Sequence, residues 1–222
     1  MLDYLRLPKY TNLCSVSEKS VFLDVLLSAA VDPLVLVSDS IPIGRGEVLT
    51  TVAALAVQVG LSQSAVRAAL AKLCARGLIR HDRECGGLII DVLHFTRYLP
   101  IVCDSPDTVR LYRHITDKPW YRNVGVKSVY LYLLQHADEK LQSCIKHISW
   151  PSRGAVSSSF EEMRQGCGVG KKAILVALKW LKQSGDIRYI ATDKRCEVVL
   201  RDNAVSNVIE VDFTQRKRFG ME

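Results

Sequence analysis

Long hydrophobic runs are missing from this 222-residue sequence, since no apolar stretch approaches the roughly 18 residues needed to span a bilayer. The first ten residues also lack the apolar segment and cleavage site of a signal peptide. The seven cysteines include no Cys-x-x-Cys pair, and the five histidines are scattered, so neither a disulfide framework nor a metal site is predicted. We therefore expect a cytoplasmic protein with reduced thiols, no membrane partner and no cofactor.

Catalytic groupings are scarce as well. The sequence shows no paired carboxylates and no nucleophile beside a general base. Residues 166–172 superficially resemble a phosphate-binding loop, which requires G-x-x-x-x-G-K-[ST]. Gln165 stands where that loop needs its first glycine, and Lys172 stands where it needs a hydroxyl. We expect the protein not to be an enzyme.

The sequence contains an internal repeat at an offset of 108 residues. When residues 19–80 are aligned with residues 127–188 without a gap, 17 of the 62 positions are identical. This period is too long for a solenoid and indicates one duplicated domain. The predicted organisation is a first domain at 1–99, a linker at 100–108, a second domain at 109–203 and a C-terminal tail at 204–222.

Apolar periodicity and capping residues predict three helices followed by a hairpin in each repeat. In the first repeat the predicted helices are 18–30, 52–59 and 63–75, with strands at 78–81 and 88–92 and either a strand or a buried loop at 34–37. In the second repeat they are 129–137, 159–166 and 171–183, with a wing at 187–200 that turns near 193–194 and a further strand at 208–213. The expected helix caps in the first repeat are Thr50 or Thr51, Ser62, Gly60 and Gly77. The fold class predicted is mainly α with small β-hairpin wings (α+β), as two winged helix-turn-helix domains.

Two stretches carry a family resemblance. The segment VRAALAKLCARGLI (66–79) resembles the N-terminal winged-helix module of bacteriophage replisome organisers and DnaD-like primosome proteins. The segment LYRHITDKPWYRN (111–123), followed by SVYLYLLQHA (128–137), is similar to the opening of those modules. The resemblance implies DNA binding in replication initiation or primosome assembly of a phage or mobile element, with a replication protein as a possible partner. Two alternatives stay open: a sequence-specific transcription regulator, and a winged-helix protein-interaction module that does not bind DNA.

The charge of the chain favours a polyanionic partner. The formal net charge is +7, and residues 100–222, with 20 basic and 14 acidic residues, supply +6 of it. Clustered lysines and arginines gain affinity for phosphate by releasing counterions. We therefore expect duplex or forked DNA as the ligand.

The third helix of each repeat is expected to enter the major groove with the face opposite its core stripe. Gln can bond adenine and Arg can bond guanine through two hydrogen bonds. A solvated polar face is the alternative explanation for these residues. The predicted DNA-binding residues are Gln63, Ser64, Arg67 and Lys72 on the first third helix, Lys171, Lys172 and Lys179 on the second, and Arg83, Lys194 and Arg195 in the wings.

The two third helices differ in chemistry. Leu175 stands where the first repeat has Arg67, and Trp180 stands where it has Lys72. We therefore expect the second repeat to supply phosphate affinity and the first to supply sequence discrimination. Leu175 and Trp180 could instead pack on the other repeat or on a partner. The matched Arg45 and Arg153 are expected either to contact phosphate or to form a structural pair.

Overall fold

The computed structural model of the chain describes residues 4–8, 15–36, 41–84, 87–100, 108–138, 152–192 and 195–201. The elements of the first half are β1 (Tyr4–Pro8), α1 (Val16–Ser28), β2 (Leu34–Leu36), β3 (Ile41–Ile43), β4 (Glu47–Thr50), α2 (Val52–Val59), α3 (Gln63–Ala75), β5 (Ile79–Glu84) and β6 (Gly87–Val92). Those of the second half are β7 (Thr108–Tyr112), α4 (Val124–His136), β8 (Ser152–Ser159), α5 (Phe160–Cys167), α6 (Lys171–Gln183), β9 (Ile187–Ala191) and β10 (Arg195–Arg201). Short 3-10 helices occupy Phe95–Tyr98 and Arg113–Asp117.

The two halves have the same order of elements. Helices α4, α5 and α6 begin and end 108 residues after α1, α2 and α3. In the first half the strand before the helix pair joins the following hairpin as an antiparallel sheet in the order β4-β6-β5. In the second half the corresponding order is β8-β10-β9. The described residues thus form a mixed α and β fold with six α-helices and small antiparallel sheets, consistent with winged helices.

The predicted helix pairs agree with the structure, whereas other predicted limits were displaced. Helices α2, α3 and α6 have the predicted bounds. The prediction that the second repeat's first helix starts at 129 was wrong, because the side chain of Asn123 caps the helix by accepting from the backbone N–H of Val126. The first helix ends at Ser28, since Ala29 has extended backbone geometry. Strands β1, β3, β4, β7 and β8 were not predicted, and the predicted strand 208–213 and tail lie outside the described residues.

A strand pair and a helix pair join the two halves. Strand β1 pairs antiparallel with β7, and Tyr4 lies opposite Tyr112, which stands 108 residues later in the chain. Helix α1 packs on α4, and the buried apolar residues of both halves form one continuous cluster. Arg113 donates hydrogen bonds to the carbonyl oxygens of Leu27 and Ala29 at the C-terminal end of α1. The predicted domain limits stay a prediction.

A pair of matched lysines links each half to the helix pair of the other. The ammonium of Lys127, on α4, donates to the carbonyl oxygen of Val59 at the end of α2, at 3.4 Å. The ammonium of Lys19, on α1, donates to the carbonyl oxygen of Gly166 at the end of α5. The last carbonyls of a helix lack intrahelical partners and carry partial negative charge, so a cation is favoured there. These two contacts fix both helix pairs relative to the α1–α4 contact.

Lys127 also belongs to a buried polar cluster between the halves. The hydroxyl of Tyr121 donates to the Asp24 carboxylate at 2.8 Å, and the Lys127 ammonium lies 4.5 Å from the centre of the Tyr121 ring. Burial raises the pKa of Asp24 and lowers the pKa of Lys127 to about 8, while the attraction between these two groups opposes both shifts. Burial and the neighbouring Asp24 carboxylate raise the pKa of Tyr121.

Candidate nucleic-acid interface

Helices α2 and α3 form a tight two-helix unit whose ends are set by local residues. Thr51 caps α2 by accepting from the N–H of Ala54 at 3.0 Å, and Ser62 caps α3 by accepting from the N–H of Ala65 at 3.2 Å. Gly60 ends α2 in left-handed geometry, with a φ of 74°. The two helices are bent by 99° relative to each other. Taken singly, none of the helices that the structure describes is long and apolar enough to cross a membrane.

The exposed face of α3 is polar at its N-terminal end and small elsewhere. Gln63, Ser64 and Arg67 are exposed, and Arg67 donates to the Gln63 side-chain oxygen at 3.3 Å. The exposed residues that follow, Ala68 and Ala71, are small. A helix with small side chains on its outer face can lie close to a groove floor, so its N-terminal polar groups can approach base edges.

Lys72 lies at the far end of this face, where it also contributes to packing. Its ammonium is 3.8 Å from the carboxylate of Glu18, a buried residue on α1, and its side chain is 61% exposed. Arg76 contacts the same carboxylate at 3.0 Å. The Glu18 charge is therefore compensated by two cations at the C-terminal end of α3. Lys72 remains accessible, but part of its charge is already matched within the protein.

Helix α6 presents a different surface. Lys172 and Lys179 are exposed, together with the side chains of Leu175 at 37%, Val176 at 52% and Trp180 at 43%. Leu175 and Trp180 thus keep a substantial part of their surface open to solvent in the structure. The core stripe of the helix consists of Ile174, Ala177, Leu178 and Leu181.

Two further lysines of α6 lie beside aromatic rings. The Lys171 ammonium is 4.8 Å from the centre of the Phe160 ring on α5, and the Lys182 ammonium is 5.6 Å from the centre of the Tyr189 ring on β9. Such cation–π contacts are attractive. The helix carries four lysines and no carboxylate.

The structure describes part of the predicted set of wing cations. Arg195 is exposed at the start of β10, whereas Lys194 and the side chain of Arg83 lie outside the described residues. Arg80 forms an ion pair with Asp91 on the neighbouring strand at 3.2 Å. The wing contribution to DNA binding therefore stays a prediction.

Arg45 forms a structural pair, which was one of the two roles predicted for it. Its side chain donates to the carbonyl oxygen of Val31 at 2.8 Å and lies 3.4 Å from the Asp32 carboxylate. The side chain of its counterpart, Arg153, lies outside the described residues.

A buried carboxylate that sequence reasoning missed holds the end of α6. Asp186, in the turn between α6 and β9, accepts from the Trp120 ring N–H at 2.7 Å and pairs with Lys118 at 2.7 Å. The adjacent Tyr121 reaches Asp24 in the first half. The Trp-Tyr pair in the sequence was the available signal, because buried Trp and Tyr need partners for their polar atoms. These contacts set the orientation of α6 relative to the α1–α4 contact.

Comparison with known proteins identifies the helix pair of the first half. Residues 49–80 match the family model described as winged helix-turn-helix DNA-binding. No sequence among curated proteins matches the chain. The chain is similar to the crystal structure of the Pi initiator protein in complex with iteron DNA, with a TM-score of 0.45 and 12% identity, over 90% of this chain and 98% of that chain. The family match assigns α2 and α3 to a winged helix-turn-helix unit and supports DNA binding.

Proposed function

We propose that the protein binds double-stranded DNA through α3 and acts in the initiation of DNA replication. The observation that carries the DNA-binding part is the exposed polar N-terminal face of α3, which includes Gln63, Ser64 and Arg67, on a helix pair that matches a DNA-binding family model. In this proposal α3 enters the major groove, Arg67 bonds guanine and Gln63 bonds adenine.

The second half adds affinity in this proposal. Lys171, Lys172 and Lys179 at the surface of α6 contact phosphates, without distinguishing bases. The equal spacing of the helices in the two halves supports an origin by duplication. Two such units in one chain would contact neighbouring stretches of one DNA molecule.

The replication role rests on the resemblance of the segments 66–79 and 111–123 to replisome organiser and DnaD-like modules. The proposed role includes an origin in a phage or mobile element and a replication protein as partner. We further propose that the protein is cytoplasmic and has no catalytic activity. A transcription regulator would contain the same α3 face. The replication role predicts binding to forked DNA that is at least as tight as binding to the matching duplex, whereas a regulator prefers the duplex.

Selection from a random 20-base-pair duplex library tests the role of α3. The unmodified protein should enrich one motif, and Arg67→Ala should reduce the preference for a guanine in it by about 10- to 100-fold while keeping non-specific binding, since a bidentate contact contributes about 1–3 kcal/mol. Arg164→Ala is the matched control, because Arg164 is an exposed arginine on α5 that pairs with Glu161. Failure to enrich any motif, or equal losses in both variants, would refute the role assigned to α3.

The salt dependence of the affinity for forked DNA tests the role of α6. Each phosphate contact contributes about −0.9 to the slope of log affinity against log salt. Lys172→Ala and Lys179→Ala should therefore each flatten the slope by about one unit, and the double variant by about two. An unchanged slope would exclude these lysines from the DNA interface.

A further inference from the structure

The exposed half of α6 is divided into two parallel stripes. Ala173, Val176 and Trp180 follow one another at helical spacing and form an apolar stripe. Lys172 and Lys179 lie beside it and, seven residues apart, are separated by about 10 Å along the helix axis. The apolar stripe is not covered by any part of the chain that the structure describes, since Val176 and Trp180 are 52% and 43% exposed.

The matched face of α3 lacks this division. The residues at the positions of Val176 and Lys179 are Ala68 and Ala71, and the residue at the position of Trp180 is Lys72. At these three positions α3 carries two small side chains and one flexible one, whereas α6 carries a large flat ring. An indole that projects from the helix would hold the α6 backbone away from the floor of a major groove.

The side chains of α6 are also poorly suited to distinguish base pairs. Lysine can bond guanine, but α6 carries none of the Arg, Asn, Ser or acidic side chains that also recognise base edges. Between the two stripes only Gln183, at the C-terminal end, combines a donor and an acceptor. An aromatic ring beside cations instead matches unpaired nucleotides, whose bases stack on the ring while their phosphates meet the ammonium groups.

We infer that the α6 face binds single-stranded DNA, with a base stacked on Trp180 and the neighbouring phosphates held by Lys172 and Lys179. The inference rests on the proposed function, because it names the form of DNA that the second half takes. The first half then holds duplex while the second holds an unpaired strand. One chain would in this way bind the boundary between paired and melted DNA.

An acidic helix of a partner protein is the rival occupant of this face. Helix recognition in a groove uses apolar anchors at i, i+3 or i+4, and i+7. Here the exposed stripe offers only two larger apolar residues, Val176 and Trp180. A single exposed ring suits stacking of one base better than insertion of a helix, and the four lysines suit a polyanion.

Tryptophan fluorescence of the full chain during titration with a 20-nucleotide oligothymidylate tests the inference. Of the three tryptophans, Trp120 is buried at 1% exposure and Trp180 is exposed. Thymine stacking should quench the emission of the unmodified protein, and Trp180→Phe should lose most of that quenching while it keeps most of the affinity. Trp180→Ala should weaken oligothymidylate binding by about tenfold or more, since one base–aromatic stack contributes that much.

Control variants separate this site from general DNA binding. Val57→Ala, which trims another exposed apolar side chain, should leave oligothymidylate affinity unchanged. Duplex affinity in Trp180→Ala should stay within about twofold of the unmodified protein. Arg67→Ala should instead lose the preference for a guanine in the duplex motif and keep oligothymidylate binding. Because each variant affects only one form of DNA, failure of the single-strand proposal for α6 can be distinguished from failure of the duplex proposal for α3.

Three outcomes would overturn the inference. The first is oligothymidylate affinity that is unchanged by Trp180→Ala. The second is an equal loss of duplex and oligothymidylate affinity in that variant, which would mark a general defect of the fold. The third is Trp180-dependent binding of polyglutamate without binding of oligothymidylate, which would assign the face to an acidic protein partner.

Discussion

Lys127 shows how a residue can be held at an unfavourable charge by the fold around it. Its side chain is fully buried, donates to the Val59 carbonyl and lies over the Tyr121 ring. Burial disfavours the ammonium form, which the nearby Asp24 carboxylate favours, and the pKa falls to about 8 from its usual 10.5. The cation is retained where it can reach the end of α2 in the other half.

The sign of the resulting pH dependence follows from proton binding. Between the folded pKa near 8 and the unfolded value of 10.5, the unfolded chain keeps a proton on Lys127 that the folded chain has released. Stability therefore rises with pH in this window. From pH 7 to pH 9.5, the free energy of unfolding of the unmodified protein should increase by about 2 kcal/mol relative to Lys127→Met.

Comparison with Lys127→Met isolates the lysine because the two proteins share all other titrating groups. Burial raises the pKa of Cys167 to about 12 and of Cys196 to about 11, which makes stability fall above pH 9 in both proteins. The measurement is urea unfolding at 0.5-unit intervals of pH, with the difference between the proteins plotted. A difference that is flat or declines with pH would contradict the shifted lysine.

At the scale of the elements, Gly60 joins the α2–α3 turn to the second half. It has a φ of 74°, and a Cβ added there would lie 2.1 Å from the carbonyl oxygen of Arg122. Gly77 has a similar φ of 65°, but a Cβ there would meet nothing within 4 Å. The two glycines therefore separate the cost of left-handed backbone from the cost of crowding the other half.

Alanine at each position should show this difference. Gly77→Ala should lose about 1–2 kcal/mol of unfolding free energy, the cost of left-handed geometry for a residue with a Cβ. Gly60→Ala should lose about 2 kcal/mol more, because the overlapping carbonyl must shift. Urea denaturation measures both, and equal losses would mean that Arg122 does not approach Gly60 closely.

The elements that the sequence predicts well are those determined by local chemistry. Ser62 and Gly60 are capping residues that act within a turn, so the bounds of α2 and α3 were predicted correctly. Strands β1 and β7 were not predicted, because each is only five residues long and is stabilised by a partner about 100 residues away. The contacts of Lys19 and Lys127 were missed for the same reason, although these two lysines occupy equivalent positions in the 108-residue repeat.

The candidate site also has features that the sequence predicts and features that depend on tertiary contacts. The exposure of Gln63, Arg67 and Lys179 follows from helical periodicity, which places them opposite a core stripe. The partial compensation of Lys72 by Glu18 depends on how α1 packs against α3, which periodicity does not specify. The anchoring of α6 through Asp186 and Trp120 is likewise a tertiary contact between residues 66 positions apart.

At the scale of the whole molecule, the described residues indicate one cooperative unit with two winged ends. The buried apolar cluster is continuous across the α1–α4 contact, β1 pairs with β7, and the Asp24–Tyr121 hydrogen bond is buried between the halves. Partial unfolding of either half would leave the Asp24 and Lys127 charges without compensation in the other. Buried charges without partners are costly, so separate unfolding of one half is disfavoured.

Matched cavity substitutions in the two halves test this coupling. Ile79 and Ile187 are buried residues at equivalent positions, each the first residue of the strand that follows the third helix. Ile79→Ala and Ile187→Ala should each cost about 2–5 kcal/mol of unfolding free energy. We expect the halves to unfold together, so either substitution should reduce amide hydrogen-exchange protection to the same extent in α3 and in α6, measured by mass spectrometry in moderate urea. Loss of protection confined to the substituted half would show that the halves are independent domains, and the relative orientation of α3 and α6 would then not be fixed by the contacts between them.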